Sequence, residues 1–593
     1  MLLYTPATKI FAKLFNKTKE CGLKLLKTLW FFLLGFSSVA QSNTESSLHA
    51  PLFNNLSAYH HPISTSVPLA QRFFNQGLIL YYGFEWGEAI RSFREAARLD
   101  PKCAMCYWGI ALALGSKINA PVKGNEYSKA KQAIEQALSL KKYTTPIELG
   151  YIKALALRFQ HEPKKIIPRT GTFSCHIASD AFDTSSKQEI ANFAHALKKL
   201  IKIYPADNDI KALYAFALFD VNSWVFWDIN GKIRPNTSTA IETLKSILKS
   251  DPRHIGGNHY YIHIIEQSPH PEQALASATQ LKTLVPWSEH LVHMPAHIYF
   301  LTGRYHEGSK SNSLAIAAFK NYNKACRDQG FEPEINYLYF HNFDFLRTTA
   351  IMEGSKQIAL SAAFNMLEEP FSTWLANELS LQWFIPIPYY VKARFAMWDE
   401  LLKEKKPAKK YTYAIGMWHY ARGMALINKG SIKSSKRESL ALNNIINNGP
   451  TQNTLEKNGI KLLKIANLIL DANIASYEGK EQLVFANLKS AENIQYNMGY
   501  HEPPDWYFPV TEALADAYLQ WNHPQQASIM YKKVLRQYPQ NGWALYGLAN
   551  SLRALGKIQA AVLIEKEFNQ AWRYADIPLP ISLTVPPAKC TIR

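Results

Sequence analysis

Apolar and small residues recur along the chain at the spacing of amphipathic helices, and the helices recur with a longer period. Ala240, Ala274 and Gly308 follow one another at a constant interval, and the same interval separates Ala527 and Ala561 near the C-terminus. A period of about 34 residues is typical of a two-helix unit that stacks on its neighbours. Because no useful stretch alternates between apolar and polar residues as a strand does, the pattern predicts an all-α fold.

The clearest unit spans residues 70–103. It carries, in order, Phe73, Gly77, Ala89, Phe93, Ala96 and Pro101. Gly77 and Ala89 are small enough to let two helices approach closely, Phe93 fills the space between them, and a proline ends the second helix. This pattern resembles the tetratricopeptide repeat. The resemblance implies an α-solenoid, a curved superhelix in which the first helix of each unit lines a concave groove.

The periodicity favours one continuous array over the roughly four domains that a chain of 593 residues suggests. The predicted segments are a signal peptide (1–40), an extended N-terminal segment (41–69), N-terminal repeats (70–205), central His-rich repeats (206–367), an irregular helical region with polar loops (368–507), and C-terminal repeats with a tail (508–593). Within the irregular region, the Lys-rich stretch 403–410 and the polar stretch 430–454 are expected to be surface loops.

The N-terminus carries a basic segment followed by a short apolar run. Six lysines precede the run Leu29–Phe36, and Ser38-Val39-Ala40 supplies the small residues of a cleavage site. This is the pattern of a secretory signal peptide, and the run is shorter than the ~20 apolar residues that cross a bilayer. We therefore expect an exported protein, periplasmic or secreted, with membrane association only if the segment stays uncleaved.

Composition and charge narrow the class of protein less than the repeats do. With 47% hydrophobic and 19% charged residues, the chain is neither disordered nor of low complexity. Its net charge of +19 would fall to +14 after loss of residues 1–40, which hold six Lys and one Glu. The basic residues are spread rather than gathered on one face among aromatic residues, and export argues against a nucleic-acid partner. Nucleic acid is therefore not expected to bind.

Five cysteines remain after such a cleavage, and among them only Cys103 and Cys106 are close in sequence. Their spacing suits a redox pair or two metal ligands, but no second pair accompanies them. A local disulfide or two packed thiols is the interpretation we favour.

Histidine is concentrated in the central repeats, where nine of the 18 histidines fall within residues 254–341. His293 follows His259 at the interval of the repeat, and His297 follows His263 at the same interval. These four histidines therefore occupy equivalent positions in consecutive units. The resemblance to tetratricopeptide repeats implies that such positions face the concave groove.

The groove-facing positions of the central units carry imidazoles and carboxylates. They are His259, His263, Glu266, His290, His293, His297, His341 and Asp344. Imidazole nitrogens together with a carboxylate are ligands of Zn, Cu, Ni or Fe. We predict a transition-metal site with the ligands His263, His293 and His297, completed by His259, Glu266, His290 or His341. The set is large enough for two metals, or for one metal and a general base.

Two alternatives to a simple metal site stay open at this point. The first is a metal-free repeat scaffold whose groove binds a peptide or protein partner. The second is a metal-dependent oxidase or hydrolase with Glu266 as general base, so the sequence leaves open whether the chain is an enzyme. The histidine spacing is not H-E-x-x-H, and the sequence holds no nucleophile elbow, P-loop or dinucleotide fingerprint.

Pro295 is expected to start a helix, which would place His290 and His293 in the preceding turn.

Five segments also resemble a full-length, functionally uncharacterised family of bacterial tetratricopeptide-repeat proteins. They are Gln71–Gly77, His259–Glu266, Leu291–Tyr299, Glu502–Trp506 and Asn541–Leu548. The resemblance implies the repeat architecture and draws attention to the histidine segments. It implies no reaction.

Overall fold

The structure, a computed structural model, describes most of the chain beyond residue 48. The described residues are 49–53, 58–115, 124–161, 184–228, 230–330, 337–368, 371, 375–376, 379–448, 457–579 and 582. The predicted signal peptide, residues 1–40, lies outside them. Nearly all described residues belong to one compact unit, Ala50–Asp328 with Glu332–Arg593, and the account below concerns that unit.

The unit is built from α-helices that follow one another along the chain. The N-terminal helices are α1 (Pro68–Tyr82), α2 (Trp86–Leu99), α3 (Ala104–Leu114), α4 (Gly124–Ser139), α5 (Pro146–Ala156), α6 (Thr184–Ile203), α7 (Asn208–Val221) and α8 (Thr237–Ser250). The central helices are α9 (Ile255–Glu266), α10 (Leu275–Leu284), α11 (Glu289–His293), α12 (Pro295–Leu301), α13 (Tyr305–Arg327), α14 (Tyr337–Met352) and α15 (Lys356–Asn365). The C-terminal helices are α16 (Ile387–Arg394), α17 (Trp398–Leu402), α18 (Thr412–Asn428), α19 (Ile432–Asn448), α20 (Lys457–Tyr477), α21 (Glu481–Tyr496), α22 (Val510–Gln520), α23 (Pro524–Gln537), α24 (Gly542–Ala554) and α25 (Ile558–Ala571).

Consecutive helices pack against each other as hairpins, and neighbouring hairpins pack in turn. The extensively packed hairpins include α1 with α2, α3 with α4, α18 with α19, α20 with α21, α22 with α23, and α24 with α25. Helices α2 and α3, and likewise α23 and α24, join one hairpin to the next. The described residues form no strand, and a single isolated β-bridge joins Trp227 and Ile233. The predicted all-α fold and tetratricopeptide-like α-solenoid are confirmed.

The N-terminal hairpin shows why small residues mark the repeat. A Cβ atom added at Gly77 would lie 2.7 Å from the Phe93 ring, and one added at Gly109 would lie 2.4 Å from the same ring. Real Cβ atoms do not approach an aromatic ring so closely, so the ring occupies the space that two missing side chains leave. The predicted close approach around Phe93 is confirmed.

One predicted loop is wrong. Within the polar stretch 430–454, residues Ile432–Asn448 form α19. Its buried residues Ser435, Ser439 and Leu442 recur at i, i+4 and i+7, so they form one stripe that packs on α18. Two of these three residues are serines, which is why the stripe does not stand out by hydrophobicity. The Lys-rich stretch 403–410 contains no helix and is mostly exposed, as predicted.

Two further features concern the cysteine pair and the length of the helices. Cys103 and Cys106 form a disulfide at the start of α3, which is one of the two interpretations that their spacing favours. None of the described helices combines the length and the apolar character needed to cross a membrane.

The central helices lie between the N-terminal and C-terminal parts of the unit. On one side, α1 packs on α9, and Ser288 donates a 2.5 Å hydrogen bond to Glu85. On the other side, the indole nitrogen of Trp543 donates a 2.8 Å bond to the carbonyl of Ile351 at the end of α14. The apolar core consists of three clusters, one from Ala50 to Tyr299, a second from Ile316 to Trp572, and a smaller third from Ala296 to Ala561. Helices α9 and α11 contribute to the first cluster, and α12 contributes to the first and the third.

Candidate metal centre

Three stretches of helix supply the predicted site residues. Helix α9 carries His259, His263 and Glu266, whereas α11 carries His290 and His293, α12 carries His297, and α14 carries His341. Pro295 is the first residue of α12, as expected, and the short helix α11 precedes it. The linking residue Met294 keeps helical backbone angles, φ −50° and ψ −36°. His293 and His297 therefore stay one turn apart despite the proline.

All seven predicted ligands are buried. Their exposed fractions are between 0 and 4%. The predicted groove position is corrected here, because residues from both ends of the unit cover these side chains. Phe84 covers them from the N-terminal hairpin, and Glu502 reaches them from the segment after α21. The site is an interior cluster and not a surface that a peptide can touch.

Six histidines form two groups of three. In the first trio, His259, His263 and His290, one ligand nitrogen of each residue lies within 4.8 Å of the others. In the second trio, His293, His297 and His341, the ligand nitrogens meet the same limit. Glu266, His297 and Glu502 form a third such group. The structure thus brings every predicted ligand into one region, with the histidines divided between two trios.

On three of the histidines, a hydrogen-bond acceptor at Nδ1 determines that this ring nitrogen carries the proton. His259 donates through Nδ1 to the backbone carbonyl of Tyr82, at 2.5 Å. That carbonyl belongs to the last turn of α1, where carbonyl groups have no partner within their own helix. His293 donates through Nδ1 to Oδ1 of Asn312, at 2.6 Å. Asn312 donates its amide to the carbonyl of Gly308, at 3.0 Å, so its oxygen is the atom left for His293.

Two carboxylates hold the third of these histidines. His297 donates through Nδ1 to Glu502, at 2.6 Å, and the same nitrogen lies 3.0 Å from Glu266. The other oxygen of Glu266 accepts from Nδ1 of His263, at 3.0 Å. Both oxygens of Glu266 are therefore engaged with imidazoles, which supports a positioning role for Glu266 and gives no support to the general base suggested by sequence.

The Nε2 atoms of the histidines face one another within the trios. Those of His259 and His290 are 3.0 Å apart, and those of His293 and His297 are 2.9 Å apart. Because the Nδ1 atoms of His293 and His297 carry the protons, neutral rings present two lone pairs to each other. Such an arrangement needs a cation between the nitrogens or a proton on one of them. Ligands bound at about 2.0–2.1 Å to one ion lie roughly 3.0–3.4 Å apart, so the observed spacing suits neighbouring ligands.

Burial favours the neutral form of three of these rings. It lowers the pKa of His259, His290 and His293 well below the usual range, and the neighbouring imidazoles lower it further. Burial also raises the pKa of Glu502, against the opposing effect of His297. A neutral imidazole is the form that binds a metal, so the interior favours the ligand state of the rings over the protonated state.

Phenylalanine rings pack on both trios. The ring centroid of Phe84 lies 4.4 Å from that of His259 and 5.1 Å from that of His290. The centroid of Phe345 lies 4.8 Å from that of His297 and 5.2 Å from that of His293. These rings shield the two centres from water.

Asp344 does not join the cluster, which corrects its predicted place. It lies one turn after His341 on α14, and it accepts from Nε of Arg347 at 3.0 Å. The guanidinium of Arg347, one turn further along the same helix, is buried and pairs with this carboxylate.

Sequence reasoning missed three groups that complete the centre. Glu502 belongs to a segment noted only for its family resemblance, and Asn312 and Phe84 carried no signal at all. Glu502 and His297 are separated by 205 positions along the chain. Phe84 follows α1 in the N-terminal hairpin, which is similarly remote in sequence from His259. No local pattern links positions so distant along the chain.

Comparisons with known proteins find distant likenesses and add no site. No family model and no curated protein matches the chain. The human IFIT1 dimer with m7Gppp-AAAA is 9% identical over 84% of this chain and 95% of that chain, with a TM-score of 0.30. Yeast Tom70 is 10% identical over 84% and 89%, with a TM-score of 0.26. The TPR domain of P58(IPK) is 13% identical over 83% and 99%, with a TM-score of 0.19.

TM-scores of this size carry no inference about function. The helical hairpins of the chain itself establish the repeat fold. The resemblance to an uncharacterised bacterial family stays a prediction.

Proposed function

We propose that the chain is an exported helical-repeat protein whose central histidine cluster binds a transition metal. One observation carries the proposal. Acceptors fixed elsewhere in the fold hold Nδ1 of His259, His293 and His297, and Nε2 of each ring is turned into its trio. Metal-binding histidines in proteins are oriented in this way, by a carboxylate or carbonyl on the far side of the ring.

The energetics of the interior support a metal over an ordinary core. Polar groups buried without partners cost free energy, and a cluster of rings with facing lone pairs leaves donors and acceptors poorly matched. A proton would relieve one such contact, but burial lowers the pKa of His293 and disfavours that proton. A bound cation satisfies several Nε2 atoms at once, and the carboxylates Glu266 and Glu502 offset its charge.

The donor set narrows the kind of ion. It consists of imidazole nitrogens with carboxylates behind them, and no cysteine belongs to the described groups. Zn, Cu, Ni and Fe suit such ligands, whereas Ca and Mg prefer oxygen. Elemental analysis identifies the ion among these four. We propose no reaction from this arrangement.

The alternative of a metal-free scaffold rests on the repeat fold alone. The predicted peptide contacts through the histidines gain no support, because these side chains are buried. A protein partner on another surface is compatible with a metal in the interior. The expectation that nucleic acid does not bind is untested by the comparisons and stays a prediction.

Export is supported by the disulfide between Cys103 and Cys106. Disulfides persist in oxidising compartments and are rare in the cytosol. Fractionation of bacterial cells that express the full chain should place it outside the cytoplasm, and a chain lacking residues 1–40 should stay inside. Equal distribution of the two chains would contradict export by this segment.

Elemental analysis tests the metal proposal. The full chain is expressed in cells supplied with Zn, Cu, Ni or Fe, purified by gel filtration and analysed by mass spectrometry. We expect at least one equivalent of a transition metal in the wild type and almost none in the double variant His263→Ala, His297→Ala.

The matched control is His419→Gln. His419 is also a buried histidine with a carboxylate partner, Glu438 at 2.6 Å, but it lies on α18 away from the cluster. Its metal content should equal that of the wild type. A wild type without metal under all four conditions would refute the proposal.

A further inference from the structure

We infer that the centre is dinuclear, with one metal ion in each histidine trio. The inference rests on the proposed function, since it concerns the number and arrangement of the ions at the same site. It assigns His259, His263 and His290 to a first ion and His293, His297 and His341 to a second. Each ion would thus have three imidazole ligands.

The two trios are built alike. Each contains one pair of Nε2 atoms at contact distance, 3.0 Å for His259 with His290 and 2.9 Å for His293 with His297. In each, one histidine of that pair donates from Nδ1 to a neutral oxygen acceptor: the carbonyl of Tyr82 in the first trio and Asn312 in the second. The likeness extends to the sequence repeat, since His259 and His293 are equivalent positions in consecutive units. Each trio is therefore one half-site of the centre, and we expect each half-site to bind an ion of its own.

The ring centroids lie farther apart between the trios than within them. The centroids of His290 and His293 are 6.1 Å apart, and those of His263 and His297 are 6.3 Å apart. Within the first trio the centroid distances are 4.8, 4.8 and 5.8 Å, and within the second they are 4.8, 4.7 and 5.6 Å. The donor nitrogens of each trio also lie within 4.8 Å of one another. The closer spacing within each trio therefore groups the six rings into two sets of three, one for each ion.

Glu266 connects the two half-sites. One of its oxygens accepts from Nδ1 of His263 in the first trio, and the other lies 3.0 Å from Nδ1 of His297 in the second. A single buried carboxylate therefore orients one ligand of each ion. Glu502 adds a second negative charge beside His297. These two charges lower the cost of holding two cations in the interior.

Each half-site also has its own aromatic cover. Phe345 covers the second trio from α14, in ordinary helical backbone. Phe84 covers the first trio from the turn after α1, where its φ is +60°. A bulky residue in the left-handed region is uncommon and is retained where the surroundings require it. The turn places the ring over His259, which is consistent with a shielded ion at that position.

The stoichiometry of metal and protein tests the inference. The full chain is prepared as wild type, as His259→Ala in the first trio and as His341→Ala in the second, and each is analysed for bound metal. We expect two ions per wild-type chain and one ion per chain in each variant. The His419→Gln control should keep two.

Electron paramagnetic resonance of the copper-loaded wild type tests the same inference without relying on a variant. Two Cu²⁺ ions a few ångströms apart couple, so the resonance signal should account for clearly less copper than elemental analysis finds. In His341→Ala the signal should account for all of the remaining copper.

The outcomes separate the two proposals. One ion in the wild type, lost from both variants, together with a full uncoupled signal, would overturn the dinuclear centre and leave metal binding intact. No metal in the wild type would remove both.

Discussion

The N-terminal hairpin of α1 and α2 and the histidine helices α9, α11 and α12 follow the same sequence repeat, but their interiors hold different chemistry. In the hairpin, the ring of Phe93 fills the space left by Gly77 of α1 and by Gly109 of the following helix α3. In the centre, the interior holds six imidazoles and the carboxylates that orient them. The repeat therefore determines where the helices lie, and the residues that face the interior determine whether it is packing or a ligand site.

This difference predicts how each region fails. A substitution in the hairpin changes volume, so it should alter stability and leave metal content unchanged. A substitution in the centre removes a ligand or leaves a charge without a partner, so it should alter metal content first. Four changes test that separation.

The largest effect is expected for His297→Ala. The change removes the N–H group that lies beside Glu266 and Glu502 and leaves both carboxylates buried beside a cavity. Removing the hydrogen-bond partner of a buried charged group costs about 3 kcal/mol or more in the free energy of unfolding. Urea unfolding should show that loss together with reduced bound metal. Retention of wild-type stability and metal content would contradict the role given to His297.

Glu502→Gln should weaken metal binding while keeping the shape of the site. The amide oxygen can still accept from His297, but the negative charge is lost. Loss of such an orienting partner typically lowers metal affinity about 10–100-fold. Competition with a chelator of known affinity measures the change. Glu438→Gln, which alters the carboxylate beside His419, is the matched control and should leave affinity unchanged.

Gly77→Ala should destabilise the hairpin without touching the metal. The new Cβ would lie 2.7 Å from the Phe93 ring. Overpacking of this kind costs about 1–3 kcal/mol. Thermal unfolding should show a lower midpoint, and elemental analysis should show unchanged metal. A lower metal content in variant protein that is still fully folded would contradict the separation of the two regions.

The smallest effect, and the opposite sign, is expected for Gly87→Ala. Gly87 lies exposed in the first turn of α2, and no atom lies within 4 Å of a Cβ built there. Alanine loses less conformational freedom than glycine when a helix forms, so stability should rise by about 0.5–1 kcal/mol. A loss of stability in the same unfolding assay would contradict the open space seen at this position.

The parts of the structure that could be predicted from the sequence are those that depend on near neighbours. The close approach around Phe93 follows from small residues at fixed spacing, and the grouping of His259 with His263 follows from one helical turn. Helix α19 was missed because its buried stripe includes Ser435 and Ser439, which are indistinguishable by hydrophobicity from a solvated surface. Asp344 was placed in the cluster by spacing, but its carboxylate pairs with Arg347, one turn further on.

The sequence by itself determined the repeat, the helices and the seven ligand candidates, because period and helical spacing are local properties. Only the tertiary structure decided that these ligands are buried, that they divide into two trios, and that Glu502 and Phe84 complete them. Those outcomes depend on contacts such as Tyr82 with His259 and His297 with Glu502, whose partners are 177 and 205 positions apart along the chain. The packing of the N-terminal and C-terminal parts on the central helices produces them, and no spacing pattern within one repeat contains that information.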